Sequence, residues 1–123
     1  MPYWGACLGV QLLAASLGAR VYQGPVPEVG LLPVSLTEAA AADPVFGGLP
    51  DEFLTLQWQF HLEVSVDMAR EWGEVFAYAE SLDRTLGHGS LPGLIREIEA
   101  SSGEMRSHGR ALFERWLDTT VGA

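Results

Sequence analysis

The only cysteine of this 123-residue chain, Cys7, lies between two glycines in the stretch WGACLGVQLLAASLGA. An extended apolar run gives way there to a helical pattern, so we expect the thiol at the N-terminus of a helix. Backbone N–H groups and the helix dipole stabilise negative charge at such a position, and the thiolate is the reactive form of cysteine. Gly5 and Gly9 allow a sharp strand-to-helix turn, as in the nucleophile elbow of hydrolases, where serine takes this place. The pattern predicts a thiol nucleophile beside an oxyanion site; the alternative is a cysteine that acts as a small buried hydrophobe.

A thiol nucleophile needs a base, and His61 and Glu63 in the stretch QWQFHLEV form a candidate pair. On a strand, residues two apart share a face about 6–7 Å apart, so Glu63 could accept a hydrogen bond from one imidazole nitrogen and leave the other to face a thiol. The alternative is the solvated face of an amphipathic strand. Cys7, His61 and Glu63 lack any metal-binding spacing, so we predict no metal site. His88 and His108 are expected at the surface.

Length and composition limit the class of protein. The chain has 48% apolar residues, which fits one domain with a packed core. Its net charge of −9 argues against nucleic acid or an anionic membrane as partner, since both require clustered Lys and Arg. One cysteine cannot form an internal disulfide, so we expect a reducing, cytoplasmic location. Neither a membrane-spanning apolar run nor a basic-then-apolar leader is seen.

The apolar patterns predict the elements that must position these groups. An elbow strand (PYWGA) and a helix buried over most of its surface are expected over residues 2–18. Residues 19–64 are assigned to central strands, namely ARVYQG, VGLLPVSLT and the long run EFLTLQWQFHLEVS, with a short helix over EAAAAD. Residues 65–119 are assigned to amphipathic helices, the last of them weakly broken at SSG and docked on the domain through Leu112, Phe113 and Trp116 or, alternatively, on a partner. This order predicts an α/β fold.

Both reactive stretches resemble signatures of the class I, triad-type glutamine amidotransferases. GACLGVQLLAASLGARV is similar to the G-x-C-x-G-x-Q-x-(L/M)-A signature, and QFHLEV is similar to Q-F-H-P-E, with Leu62 in place of the proline. EVGLLPVSLT and DPVFGGLPDEFLTLQW resemble segments between the two. The resemblance runs from Pro2 to about Trp72 and is nearest to stand-alone members and the amidotransferase domain of guanosine-monophosphate synthetase. It implies a flavodoxin-like or Rossmann-like α/β fold, here partial and followed by C-terminal helices.

The resemblance also implies an activity that requires no cofactor. Cys7 would attack the side-chain amide of glutamine, His61 would act as base and then as acid, and Glu63 would orient His61. Ammonia would pass to an unknown acceptor, a synthase or other acceptor protein. Two alternatives stay open: an inactive remnant or binding scaffold of the same family, and a cysteine hydrolase of the related peptidase-like branch. The residues that match glutamine-binding positions, the first through its backbone N–H, are Leu8, Gly9 and Gln11.

The chain departs from the family pattern at two places. Six residues precede Cys7, whereas the family's elbow strand lies inside a parallel sheet built partly from earlier residues. Trp58 is followed directly by Gln59, where family members have a few dozen more residues. We therefore expect residues 1–123 to form a single partial domain that is truncated at its N-terminus and internally shortened, and that either self-associates or needs a partner that supplies the missing half. The side chains expected to lack cover are Tyr3, Trp4, Phe53, Leu54, Leu56, Trp58 and Phe60.

Overall fold

The computed structural model describes residues 3–57 and 60–120, which form a mixed α/β arrangement of one two-stranded sheet and several helices. We number these elements in chain order and include one short 3-10 helix without a number. The elements are α1 (Leu8–Ser16), β1 (Gly30–Ser35), the 3-10 helix (Glu38–Ala42), β2 (Glu52–Gln57), α2 (Val66–Glu74), α3 (Phe76–Leu86) and α4 (Leu91–Thr120).

The sheet is an antiparallel pair in which Gly30 lies opposite Gln57 and Ser35 lies opposite Glu52. The parallel flavodoxin-like sheet is therefore not seen in the described part of the chain, and the strands predicted over PYWGA and ARVYQG were wrong. Both segments have apolar, strand-like composition, but a strand also needs a neighbour to pair its backbone groups. Tyr22, in the second segment, is 68% exposed and lies under the guanidinium of Arg20.

The chain reverses direction after β2, so the long strand predicted over EFLTLQWQFHLEVS was also wrong. His61 pairs back onto Leu56 through two backbone hydrogen bonds of 2.9 and 3.0 Å. Phe60 has a φ of 63° in the left-handed region, which an alternating apolar pattern does not signal. The predicted strand residues Trp58 and Gln59 lie outside the described residues.

Helix α4 is the main support of the core. It runs for 30 residues without the break predicted at SSG, and it packs on both strands and on α2. Its buried side chains recur at intervals of four or seven residues, which places them on one face of the helix. These α4 residues are Leu94, Ile98, Met105 and Leu112.

The cover provided by α4 explains which aromatic and aliphatic side chains are protected. Phe53 and Leu56 were expected to lack cover but are 4% and 0% exposed. They point to opposite faces of β2, and the ring of Phe53 packs 5.3 Å from that of His108 on α4. Tyr3, Trp4 and Leu54 are exposed, as expected. Phe60 is half-buried, and Trp58 lies outside the described residues.

Helix α1 buries none of its residues, so the predicted burial over most of its surface was wrong. Leu8 and Leu12, one turn apart, are 57% and 59% exposed. The segment before α1 is held by Trp4, whose ring contacts Phe113 and Trp116 near the C-terminal end of α4. Over residues 3–57 and 60–120, the helices include none with the length and apolar character required to cross a membrane.

Candidate functional site

Cys7 occupies the N-cap position of α1 with a backbone conformation that non-glycine residues rarely adopt. Its φ is 55° and its ψ is −126°, so the side chain is carried on a sharp, strained turn at the start of the helix. A residue held in such a region costs about 1–3 kcal/mol, and strain of this kind concentrates at active sites. The turn expected from the G-x-C-x-G spacing is therefore present, although the segment before it is not a strand.

The two flanking glycines leave little room for a side chain: Gly5 lies close to the backbone of Gly9 and to Tyr3, and Gly9 lies close to the Tyr3 side chain. A Cβ at Gly5 would lie 2.6 Å from Cε1 of Tyr3 and 3.0 Å from the carbonyl carbon of Gly9. A Cβ at Gly9 would lie 3.3 Å from the Tyr3 hydroxyl, which donates a 3.0 Å hydrogen bond to the carbonyl oxygen of Gly9. Tyr3 thus closes the turn around Cys7, and any side chain at the glycine positions would press against it.

The residues matched to a glutamine pocket all lie in the first turns of α1. Gly9 and Gln11 are half-buried and Leu8 is exposed. The N–H of Gly9 donates to the carbonyl oxygen of Ala6 at 2.9 Å, while the N–H of Leu8 makes no hydrogen bond within the described part of the chain. The Leu8 amide therefore retains the donor capacity that an oxyanion site needs.

His61 and Glu63 form the hydrogen-bonded pair predicted from the sequence. Nδ1 of His61 lies 2.5 Å from Oε1 of Glu63, and the other carboxylate oxygen accepts the N–H of Leu62 at 3.0 Å. The His61 ring is 12% exposed and packs edge-on against Trp72 at 5.1 Å between ring centroids. With a carboxylate as acceptor, the Nδ1 atom of a neutral imidazole carries the proton, and Nε2 is left as a potential base.

The electrostatics of Glu63 follow from this contact. The hydrogen bond from His61 holds the pKa of the Glu63 carboxyl below its usual value, although partial burial acts in the opposite direction. The carboxylate is therefore ionised at neutral pH, which is the state that can orient an imidazole. The pair forms at a bend after the chain reversal rather than on alternating positions of a strand, so the predicted contact is present for a different geometric reason.

Helix α4 brings the Cys7 segment and the His61 segment to one surface. Leu62 packs on Gly109, where an added Cβ would lie 3.1 Å from the Leu62 Cβ. Trp4 packs on Phe113 at 5.4 Å and on Trp116 at 5.5 Å between ring centroids. Positions 109, 113 and 116 share one face of a helix, and one turn spans about 5.4 Å. The elbow and the imidazole–carboxylate pair are thus attached to adjacent turns of the same helix face.

The two other histidines differ in environment. His88 is exposed and bonds to Asp83 at 2.8 Å, as expected of a surface residue. His108, also expected at the surface, packs 5.3 Å from the ring of Phe53, and its Nδ1 is buried without a hydrogen-bond partner among the described residues. Its place between Met105 and Leu112 on the apolar face of α4 could have indicated this burial.

The sequence did not reveal the contacts between residues that are far apart in the chain. The packing of Trp4 on α4 has no local signal in the sequence. Gly109, inside a helical pattern, does carry one, because a glycine there often marks a close approach. No group of three or more His, Cys, Asp or Glu side chains within residues 3–57 and 60–120 is arranged to hold a metal ion.

Comparison with known proteins gives a partial match. The chain is 35% identical over 65 residues to the "Putative glutamine amidotransferase-like protein YfeJ" of Salmonella typhimurium. The matched segment is 53% of this chain but 27% of that protein, so the chain spans about a quarter of its relative. No protein-family model matches the chain, and no solved structure is significantly similar to it. The match supports, over that segment, a relationship to glutamine amidotransferase-like proteins.

Proposed function

We propose that this chain carries a triad-type glutamine amidotransferase site, of the class I kind, that hydrolyses the side-chain amide of glutamine. Cys7 is the nucleophile, His61 the acid–base residue and Glu63 the residue that orients His61. The strained backbone of Cys7 at the start of α1 carries the proposal, because strain of this kind concentrates at active sites. The similarity to a glutamine amidotransferase-like protein supports the choice of substrate.

The chemistry proceeds in two steps. The Nε2 atom of His61 takes the thiol proton, and the sulfur of Cys7 bonds to the amide carbon while the carbonyl oxygen becomes an oxyanion facing the Leu8 N–H. The carbon–nitrogen bond then breaks, His61 returns the proton to the leaving nitrogen, and ammonia departs from a glutamyl thioester. Water, deprotonated by His61, attacks the thioester carbon, and the products are glutamate and the free thiol.

The ammonia acceptor in this proposal is a synthase or other acceptor protein, and the reactive thiol implies a reducing, cytoplasmic compartment. A binding scaffold without catalysis is the second candidate function. It is favoured by one observation, the exposure of Leu8 and Leu12 beside the proposed nucleophile. An apolar, exposed helix face at this position suits contact with another protein more than entry of a small polar amide.

Glutamate and ammonia release from glutamine by the purified chain tests the proposal. We expect Cys7→Ala to reduce the rate to background and His61→Ala to reduce kcat by at least about 100-fold, the usual contribution of a general acid–base residue. His88→Ala is the matched control, since His88 is also bonded to a carboxylate but lies at the surface away from α1. It should retain the full rate.

A second measurement is needed if the chain hydrolyses glutamine too slowly for the rate to be compared. An electrophilic analogue of glutamine should label Cys7 and no other residue, and excess glutamine should protect against labelling. Equal rates for Cys7→Ala and the unmodified chain would contradict the proposed nucleophile. If glutamine is not hydrolysed and the analogue does not label Cys7, the binding scaffold becomes the better interpretation.

A further inference from the structure

Helix α4 has a second role beyond the core, and this role rests on the proposed function. Ile98 and Met105 are buried on the face of α4 that packs toward the core. The C-terminal continuation of this face, which we call the 109–116 stripe, consists of Gly109, Phe113 and Trp116. Phe113 and Trp116 stack on each other at 5.8 Å with planes 23° apart, so the stripe presents a flat aromatic surface next to a glycine.

The aromatic end of the 109–116 stripe holds the Cys7 segment. Trp4 meets Phe113 edge-on at 80° and lies 5.5 Å from Trp116 at 58°. Through these aromatic contacts, Trp4 attaches the segment before the elbow to α4. Trp4 is three residues before Cys7, so a shift of its ring is passed directly to the turn that carries the thiol.

The glycine end of the stripe holds the imidazole segment. Leu62 is the neighbour of His61 and of Glu63, and its own N–H bonds to the Glu63 carboxylate. Leu62 packs closely on α4 at Gly109, since a Cβ added there would lie 3.1 Å from the Leu62 Cβ, tighter than an ordinary van der Waals contact. Any side chain at position 109 would move the bend that carries the imidazole.

We infer that Gly109 and Trp4 are positioning residues for the proposed reaction, which together set the separation between the Cys7 thiol and the His61 imidazole. Gly109 acts through Leu62, and Trp4 acts through the elbow. Helix α4 fixes the distance between these two contacts. Geometry of this kind matters because a displacement of about 1 Å at reacting groups can cost on the order of 100-fold in rate.

The substitution Gly109→Ala, compared with Gly103→Ala, tests the glycine end. Both changes add the same methyl group to α4 and raise helix propensity, but position 103 has no atom within 4 Å of its new Cβ whereas position 109 meets Leu62 at 3.1 Å. We expect Gly103→Ala to keep the full kcat. Gly109→Ala should reduce kcat about 10-fold with little change in KM, while its melting temperature stays at or near that of the unmodified chain.

The aromatic end is tested with Trp4→Phe and Trp4→Ala. The Trp4→Phe variant should keep most of the kcat, because the phenylalanine ring can still pack on Phe113. In the Trp4→Ala variant, kcat should fall about 10-fold or more. The pH profile of Cys7 alkylation by iodoacetamide is the second readout, since it reports coupling of thiol and imidazole without requiring turnover. In Gly109→Ala and Trp4→Ala, the dependence of the alkylation rate on pH should become the same as in His61→Ala.

The possible results separate the inference from the function on which it rests. Full activity of Cys7→Ala would remove the proposed function. If Cys7→Ala is inactive but Gly109→Ala and Trp4→Ala keep the kcat and alkylation profile of the unmodified chain, the positioning role is refuted and the function stands. An alkylation profile that does not change in His61→Ala would also refute the positioning role, because the thiol and imidazole would then not be coupled.

Discussion

The substitution Gly5→Ala should damage the site while changing only one methyl group. The new Cβ would lie 2.6 Å from Cε1 of Tyr3, 3.1 Å from its hydroxyl oxygen and 3.0 Å from the carbonyl carbon of Gly9. Carbon atoms in contact prefer about 3.5–4.0 Å. The Tyr3 ring must therefore move by about 1 Å, and the first turn of α1 must move by about 0.5 Å relative to Gly5.

These two movements differ in consequence. Tyr3 is half exposed and can rotate away, at the loss of its hydrogen bond to Gly9, which is worth about 1 kcal/mol. The backbone of Gly9 cannot rotate away. The distance between Gly5 and Gly9 must therefore increase, which displaces the turn that carries Cys7. We expect about 1–3 kcal/mol of lost stability from overpacking and a fall in kcat of about 10- to 100-fold from the displaced thiol.

Glutaminase kcat, urea unfolding and the alkylation rate of Cys7 should be measured together on Gly5→Ala. Gly24→Ala is the matched control, because a Cβ at this exposed glycine meets its nearest atom at an ordinary 3.6 Å. The double variant Tyr3→Ala/Gly5→Ala removes the two side-chain contacts and leaves the backbone contact, so it should not recover kcat. Gly5→Ala with the kcat and alkylation rate of Gly24→Ala would refute the argument, since the backbone would then not limit the turn.

Three further predictions concern strain, charge and surface. Cys7→Gly should be more stable than Cys7→Ala by about 1–3 kcal/mol in urea unfolding, because glycine accepts a φ of 55° without strain; equal stabilities would show that the turn relaxes. The lowered pKa of Glu63 means that its bond to His61 contributes stability above the unfolded pKa of about 4.3, which is lost as pH falls through the lower folded pKa. In Glu63→Gln, the free energy of unfolding should therefore depend less on pH between about pH 5 and 3. The difference from the unmodified chain should be less than about 1 kcal/mol, because the Glu63 side chain is half exposed. An unchanged pH dependence would contradict the bond between Glu63 and His61. The exposed Leu8 and Leu12 should make the chain self-associate at high concentration, and Leu8→Glu with Leu12→Glu should abolish this in size-exclusion chromatography; a compact monomer at every concentration would oppose it.

The locally encoded features were predictable because short-range sterics set them. The spacing of Gly5, Cys7 and Gly9 predicts a turn at the start of a helix, and the structure has one. The two-residue spacing of His61 and Glu63 predicts their contact, which is present at a bend instead of on a strand. Side chains two residues apart remain within reach in several backbone conformations, so the contact does not depend on the element that carries it.

The strand predictions were wrong where strand formation depends on hydrogen bonding to another segment and not on amino-acid composition. ARVYQG and PYWGA have residues typical of strands, yet within the described part of the chain neither pairs with another segment. The run after Gln57 keeps an alternating pattern, but His61 pairs back onto Leu56 of β2, and Phe60 has a left-handed conformation. Hydrogen-bonding partners of a strand are distant in the sequence, and a pattern in one segment carries no information about them.

The sequence by itself determined the residues on which the proposed chemistry depends, together with the helix that supports them: one cysteine at a glycine-flanked turn, a histidine with a carboxylate two residues away, and an amphipathic C-terminal helix. Only the tertiary structure decided that this helix is unbroken, that its His108 packs on Phe53, and that Trp4 and Leu62 lie on adjacent turns of one of its faces. The physical reason is that residue type and near-neighbour spacing fix local backbone geometry, whereas the placement of one segment on another depends on which apolar surfaces can be buried together.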